Sequence, residues 1–464
     1  MLSASDWAIQ QWQDVELGDE RLNRRAVAMG KQMTALPTAS LPQQRGTVKA
    51  LKGAYGLLNH PGIEMEQLLA PHEVQTLAAA GRERGVVLLV EDTTELDFTG
   101  RRDMTGLGPV GDAKGRGLLL HSTLAIEPEG RQVLGLAHAQ VVLRIPKAER
   151  PKRKWFRSPE GMVWHVSVQR TGRPPAGRGW VHVSDSGSDN FDYLQECRAY
   201  GKHFVIRACR NRRLDWSAVS GQVVDEEAGL LIDFAHRLTP QSGSLYTINV
   251  SRSDRRPARQ ADVALQWAEV RIAPPVQAPD AIRARGTLHA WLLRVWEPES
   301  PPDVEPVEWI LLSSLPIASL GEACQRVAWY TCRWLCEDFH QCLKTGCQIE
   351  RRQFDDAGDI RTLLGFTMPI AVRLLQMRQA VRQLPDVLAA TLVDPLMVQV
   401  LARMVDADGP SMRIQDFWRY VARMGGHLGR KSDGPPGWRT LWKGWQQLAT
   451  MTDGAHLFAL PTIQ

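Results

Sequence analysis

Hydrophobic and polar positions change their period several times along this chain. Residues 1 to about 70 follow a helical rhythm. In ERLNRRAVAMGKQM, Leu22, Val27 and Met33 fall among Arg21, Arg24, Arg25 and Lys31, and TVKALKGAYGLLNH (47–60) reads as a further helix stopped by Pro61. At Gly85 the rhythm gives way to GVVLLVEDTTELDF, a β-branched apolar run that ends in acids, as a buried strand meeting solvent does. Residues 118–143 predict two strands joined at 127–130. Residues 179–184 predict another that runs straight into Asp185, and 203–208 one more after the helical DYLQECRAY. Strands and helices in this order predict an α/β core with antiparallel hairpins on one edge.

Residues 211–308 differ again. SLYTINV, DVALQWAEVRI and TLHAWLLRV alternate between Pro/Gly/Ser clusters and predict a β-rich insertion, and EWILLSS at 308–314 reads as a return to the core sheet. A long helix is expected from about 319 to 344. Beyond Glu350 the chain reads as mostly helical, with a tryptophan-rich tail of Trp418, Trp438, Trp442 and Trp445. At 464 residues, about three domains are expected. They are a helical unit at 1–70, an α/β core at 71–372 with 211–308 inserted in it, and a helical unit at 373–464.

Composition narrows the class. With 44% hydrophobic and 23% charged residues the chain is neither disordered nor collagenous. Its seven cysteines are too few and too scattered for a disulfide scaffold, and their odd number without a CxxC pair predicts a reducing compartment. The net charge of +5, from 56 Lys and Arg against 51 Asp and Glu, is compatible with a nucleic-acid partner but too small to argue for one. No segment approaches the roughly 18 apolar residues of a membrane span, and MLSASDWAIQQWQD lacks the basic and apolar regions of a secretion signal. A cytoplasmic protein with no membrane partner is expected.

Two acids hold matching places: Asp92 follows VVLLVE and Asp185 follows WVHVS, each expected just past an apolar strand. Carboxylates at strand ends suit general acid–base work or Mg2+ ligation, because ligands gather at the carboxyl ends of strands in α/β sheets. Such acids also start turns and cap helices. In AWYTCRWLCEDFHQCLKTG, Tyr330, Arg333, Glu337 and Lys344 are spaced by 3, 4 and 7 residues, which puts them within roughly 60° on a helix. A solvated stripe with an Arg333–Glu337 pair would be worth only about 0.3–0.5 kcal/mol. The rest of this helix is apolar (Val327, Trp329, Trp334, Leu335, Phe339), so a polar stripe on it points to a site. Cys332, Cys336 and His340 at i, i+4 and i+8 raise zinc as an option, but buried cysteine is a good small apolar filler, and that is the preferred reading.

Taken together, two strand-end aspartates, a β-rich insertion and a helix reading Tyr-x2-Arg-x3-Glu-x6-Lys resemble the DDE transposases. More narrowly the chain resembles the bacterial cut-and-paste insertion-sequence transposases defined by that Tyr-Arg-Glu-Lys signature, the insertion-sequence-four family. The resemblance covers almost the whole chain. WAIQQWQDVELGDERLNRRAV and KGAYGLLNHP are similar to the family's N-terminal DNA-binding unit. EDTT (91–94) matches the first catalytic block, with KGRGLLLHSTL (114–124) as the strand after it. VSDSGSDNFDYLQ (183–195) matches the second, and EWILLSS with the signature helix the third. RMGGHLGRKSDGPPGWRTLWKGWQQL is similar to the C-terminal helices.

The resemblance implies an RNase H-like catalytic core, flanked by an N-terminal helical DNA-binding domain and a C-terminal helical dimerisation domain. In it Asp92, Asp185 and Glu337 hold two Mg2+ ions, with Mn2+ able to substitute. It implies phosphate contacts from Tyr330, Arg333 and Lys344, a flipped base stacked on Trp309, and a DNA contact from Arg207. The implied partners are double-stranded DNA, both transposon ends and target, and a second copy of the chain on paired ends. The implied activity is end cleavage and strand transfer, through a hairpin. The chain departs from the family after Asp185, where SGSD stands for an Arg-Glu-Ala-Asp run and keeps only Asp189. It departs also in a loop at 144–157 with seven Lys and Arg to one Glu, read as either a DNA contact or a solvated loop. The competing readings are a non-catalytic end-binding or inhibitory protein that keeps the fold and, far behind, a glycosidase with paired carboxylates.

Overall fold

In a computed structural model the described residues are 4–45, 47–152, 157–215, 229–239, 245–250, 257–430, 436 and 438–459. The chain opens with five helices: α1 (Ala4–Trp12), α2 (Glu20–Ala35), α3 (Leu41–Arg45), α4 (Val48–Leu58) and α5 (Met65–Arg82). Their starts are written locally. Asp19 Oδ1 accepts the Arg21 N–H at 2.7 Å, Thr47 Oγ1 caps α4 at 3.3 Å, and Glu64 with Gln67 forms a capping box on α5. The boundary expected near residue 70 falls inside α5, which packs on the next part of the fold.

The strands follow: β1 (Val86–Asp97), β2 (Gly108–Val110), β3 (Gly115–Glu127) and β4 (Gln132–Val142), then α6 (Pro159–Arg170), β5 (Gly179–Ser184), α7 (Phe191–Ala199), β6 (His203–Arg207) and α8 (Leu231–Arg237). Next come β7 (Leu245–Val250), β8 (Arg259–Ile272), α9 (Asp280–Arg283), β9 (Leu288–Trp296) and β10 (Glu308–Ser313). Among the described residues these ten strands make one mixed sheet in the order β2-β3-β1-β5-β6-β10-β9-β8-β7, with β4 also on β3. β1, β5 and β6 are parallel neighbours, and the flanking pairs are antiparallel. The strands of the expected insertion therefore continue the central sheet: β9 pairs with β10, and β8 and β7 follow outward.

Successive residues of β1 serve opposite faces. Leu88 and Val90 join the large core, whereas Val87 and Leu89 pack with Ala80 and Trp180. The large core runs into the last helices: α10 (Leu320–Thr331), α11 (Trp334–Gln341), α12 (Ala357–Gln383), α13 (Pro395–Met404), α14 (Ile414–Met424) and α15 (Trp438–Ala459). Gly365 lets α12 approach α5, since a Cβ there would lie 2.6 Å from the Leu68 Cβ. Trp12 stacks obliquely on Phe366 at 5.3 Å and donates to the Leu68 carbonyl at 3.2 Å, so the N-terminal helices rest on α5 and α12. No helix among the described residues is long and apolar enough to cross a membrane.

The long helix expected at 319–344 is broken. Around Cys332 and Arg333 it tightens into i to i+3 bonds (Arg333 N–H to Tyr330 at 3.1 Å, Cys336 N–H to Arg333 at 3.0 Å), and at Cys342–Gly346 it widens into a π turn. Tightening and widening turn the helix in opposite senses, so the signature residues do not keep the regular spacing assumed from sequence.

Candidate active site

β1 and β5 pair in parallel as far as Glu91 and Ser184, and Asp92 and Asp185 are the next residue on each strand. There the strands part. β5 ends, and Asp185 Oδ1 accepts the Gly187 N–H at 2.8 Å to start a short turn at Ser186–Ser188. β1 continues, contrary to the expectation that Asp92 lies past its strand, because antiparallel pairing with β3 runs on to Asp97 and Gly117. Asp92 thus sits within a strand, where its second neighbour has left, and alternation turns it to the face that carries α10 and α11.

Arg333 joins the signature helix to that strand. Its Nη1 donates to Asp92 Oδ2 at 2.9 Å and lies 2.8 Å from Glu337 Oε1, while its guanidinium rests 4.8 Å from the Trp334 ring centre. Burial raises the Asp92 pKa to about 6; Arg333 and the Thr93 N–H (2.8 Å) pull it down, Asp185 and Glu337 push it up. Burial also raises Glu337, against the pull of Arg333. For Arg333 burial opposes the charge, yet Tyr330 and the acids Asp92, Glu337 and Asp185 hold its pKa above the usual value. Asp92, Asp185, Glu337 and Arg333 therefore form one electrostatic unit. Among the described residues no group of three or more His, Cys, Asp and Glu side chains stands arranged to hold a metal ion.

The other expected residues spread outward from this unit. Tyr330 is buried, its pKa raised by burial, and stands edge-on to Trp309 with ring centres 5.1 Å apart. Trp309 is itself only 7% exposed. Arg207, at the end of β6, donates to the Glu308 carbonyl at 3.2 Å. Lys344 lies on the π turn, donates to the Glu95 carbonyl at 2.5 Å and pairs with Glu350 at 3.4 Å; Glu95 is about 10 Å along β1 from Asp92. Of the cysteines on this helix, Cys332, Cys336 and Cys342 are buried, as is Cys347 after it.

Two further buried acids carry networks to which the sequence assigned no role. Glu91, adjacent to Asp92 but facing the other way, is fully buried. Its carboxylate accepts from Tyr193 at 2.7 Å and from Ser167, with His182 Nδ1 3.1 Å away. Burial would raise its pKa, but His182 and the hydroxyl donor hold it below the usual carboxylate range. An acid at the inward-facing end of an apolar run is the signal that marks it in the sequence. Asp189, the residue kept from the family pattern, is also buried; it accepts the N–H groups of Cys209 and Arg210, both at 2.8 Å, and pairs with Arg212 at 2.5 Å. In the basic loop, Arg144 pairs with Glu160 and Glu95 and Arg157 with Asp192, while Arg153 and Lys154 lie outside the described residues.

Comparison with known families places both ends of the chain. Residues 4–63 match the family described as transposase DNA-binding, which spans α1 to α4. Residues 370–460 match the transposase Tn5 dimerisation domain, which takes in the second half of α12 and α13 to α15. The chain thus carries a transposase DNA-binding domain and a Tn5-type dimerisation domain on either side of a mixed α/β sheet with an acidic site, and the pair supports a transposase.

Proposed function

We propose that the protein is a cut-and-paste DNA transposase of the insertion-sequence-four type. In this reading the sheet is an RNase H-like core, and Asp92, Asp185 and Glu337 are the acids of a DDE site. The observation that carries the reading is the meeting of strand β1 and the signature helix through one guanidinium, with the end of β5 paired beside β1, flanked by two transposase domains. The donor set fits Mg2+ in kind: three carboxylates supply hard oxygen ligands, and burial first, with Asp185 and Glu337 adding to it, raises the Asp92 pKa to about 6, a cost to its charged form that a cation would relieve. Divalent cations held there, Mg2+ or Mn2+, supply activation of the attacking oxygen and neutralisation of the leaving oxygen in an in-line displacement.

The chain's own residues bind and orient the DNA. Arg333 presents a planar fork suited to a phosphate, and Lys344, Arg207 and the Tyr330 hydroxyl extend the contacts along the backbone. Water cuts at the transposon end, the freed 3′-hydroxyl attacks the opposite strand to close a hairpin, and the reopened end joins target DNA. The aromatic pair Trp309 and Tyr330 lies beside the acids, and a base turned out of the duplex would stack on Trp309 once Tyr330 moves aside, at roughly 1–3 kcal/mol. The matched dimerisation domain supports a homodimer that pairs two ends.

The test uses a duplex that contains the DNA flanking the gene, with Mg2+. Cleavage at a terminal repeat, lost in Asp185→Asn while the duplex is still bound, is the expected result. Equal binding with no cleavage by either protein would replace the enzyme with a non-catalytic end-binding protein.

A further inference from the structure

The guanidinium of Arg333 lies between two of the three acids. A single nitrogen, Nη1, lies 2.9 Å from Asp92 Oδ2 and 2.8 Å from Glu337 Oε1, and so bridges carboxylates from β1 and from α11. Mg2+ takes its oxygens at about 2.0–2.1 Å, so an ion bound to both oxygens and this nitrogen exclude each other. We propose that Arg333 competes with the divalent cation for Asp92 and Glu337, so that the DNA-free protein binds metal weakly and the ion enters fully only as the guanidinium turns away. This rests on the reading of Asp92, Asp185 and Glu337 as metal-holding acids.

Three further features fit a residue that must move rather than discharge. An arginine stays protonated at any working pH, so it leaves the acids only by displacement. It sits at the irregularity between α10 and α11, where the backbone has already departed from α-helical bonding. Its buried Nε has no hydrogen-bond partner among the described residues, so the fork has unspent donor capacity that a phosphate, which accepts two parallel N–H bonds, can use. A phosphate is therefore the group suited to draw the guanidinium off, which would couple metal entry to arrival of DNA. The carboxylates, relieved of their internal cation, then receive an external one.

The experiment titrates Mn2+ into the full, DNA-free chain and follows free Mn2+ by electron paramagnetic resonance. Arg333→Gln is expected to bind Mn2+ at least tenfold more tightly than wild type, and the gain is expected to vanish when Asp92→Asn is added. Arg333→Lys, which keeps the charge on a single ammonium unable to reach both acids in the same way, is expected to fall between; it serves if the glutamine variant fails a circular-dichroism check of its fold. Equal Mn2+ affinity in wild type and the Arg333 variants, with weaker binding once Asp92→Asn is added, overturns the competition and leaves the acids as metal ligands. No Mn2+ binding by any of them at millimolar concentration overturns the competition together with the metal reading. A merely structural arginine would lower stability without moving the affinity.

Discussion

His72 joins the helices of the matched DNA-binding segment to the central sheet, and its ring fixes a pH dependence of stability. It lies on α5, with Nδ1 2.6 Å from Gln11 Oε1 of α1 and Nε2 accepting the Leu136 N–H of β4 at 3.0 Å. Because Leu136 is a donor, Nε2 carries no proton and Nδ1 donates to Gln11. A second proton would point an N–H at another N–H in a buried site. Burial accordingly lowers the pKa from 6.5 to about 4. The unfolded chain then binds more protons than the folded one between these values, so this contribution to stability is present above pH 6.5 and is lost as the pH falls toward 4. Between pH 7 and pH 5 the loss from this one ring is about 2 kcal/mol. Urea denaturation followed by tryptophan emission at the two pH values measures it, with His72→Gln as reference. The variant is expected to lose about 2 kcal/mol less than wild type over the same interval. His121 and His340, also lowered by burial, titrate in both proteins and cancel in the difference. Equal losses in the two proteins would show that His72 is not held neutral by its two partners.

The matched dimerisation domain depends on two glycines. A Cβ on Gly444 would lie 1.8 Å from the Val421 carbonyl oxygen, and one on Gly425 equally close to that of Thr440, so Gly444→Ala is expected to prise α15 from α14. We expect a cost at or above the roughly 1–3 kcal/mol of ordinary overpacking, read as a lower Tm, and a smaller dimer fraction on sedimentation. Arg352 is buried and donates to the carbonyls of Cys347 (2.8 Å), Pro37 (2.7 Å) and Ala39, tying the α2–α3 corner to the end of the signature helix. Arg352→Ala strands these oxygens at about 1–3 kcal/mol each, and protease sensitivity near residue 39 is expected to rise; Arg352→Lys should restore only part, because an ammonium cannot fork between carbonyls.

The strands of the core were legible because their apolar runs are long and bounded by acids or turns, as with 86–97 and 179–184. Less legible was how far a strand extends. Asp92 reads as a strand end from one side, where β5 stops, but the ladder to β3 that carries β1 onward depends on residues 117–126, far away in sequence. For the same reason the alternating segments after residue 245 predict strands without revealing that they extend the central sheet: pairing of Leu288–Trp296 with β10 leaves no local mark. Arg333 and Lys344 of the signature helix reach β1, yet regular periodicity cannot foresee a tightened turn at Arg333 or a π turn at Lys344. Glu91 escaped because an acid at the close of an apolar run is read as the point where a strand meets water. Here the water is replaced by hydroxyls from α6 and α7.

Charge shows the same limit and resolves it. A net charge of +5 does not say which cations are spent inside the fold. Arg144 and Arg157 of the basic loop, like Arg212 and Arg352, are held by carboxylates or carbonyls of the fold, so they stabilise the protein rather than wait for a ligand. Arg21, Arg24, Arg25, Lys49 and Lys52 are exposed on α2 and α4, within the segment that matches a transposase DNA-binding domain, and α2 packs on α4. Exposed cations on two packed helices make a continuous surface for a phosphate backbone, and each contact there releases condensed counterions. Sequence-independent DNA affinity should therefore reside mainly in the first 60 or so residues.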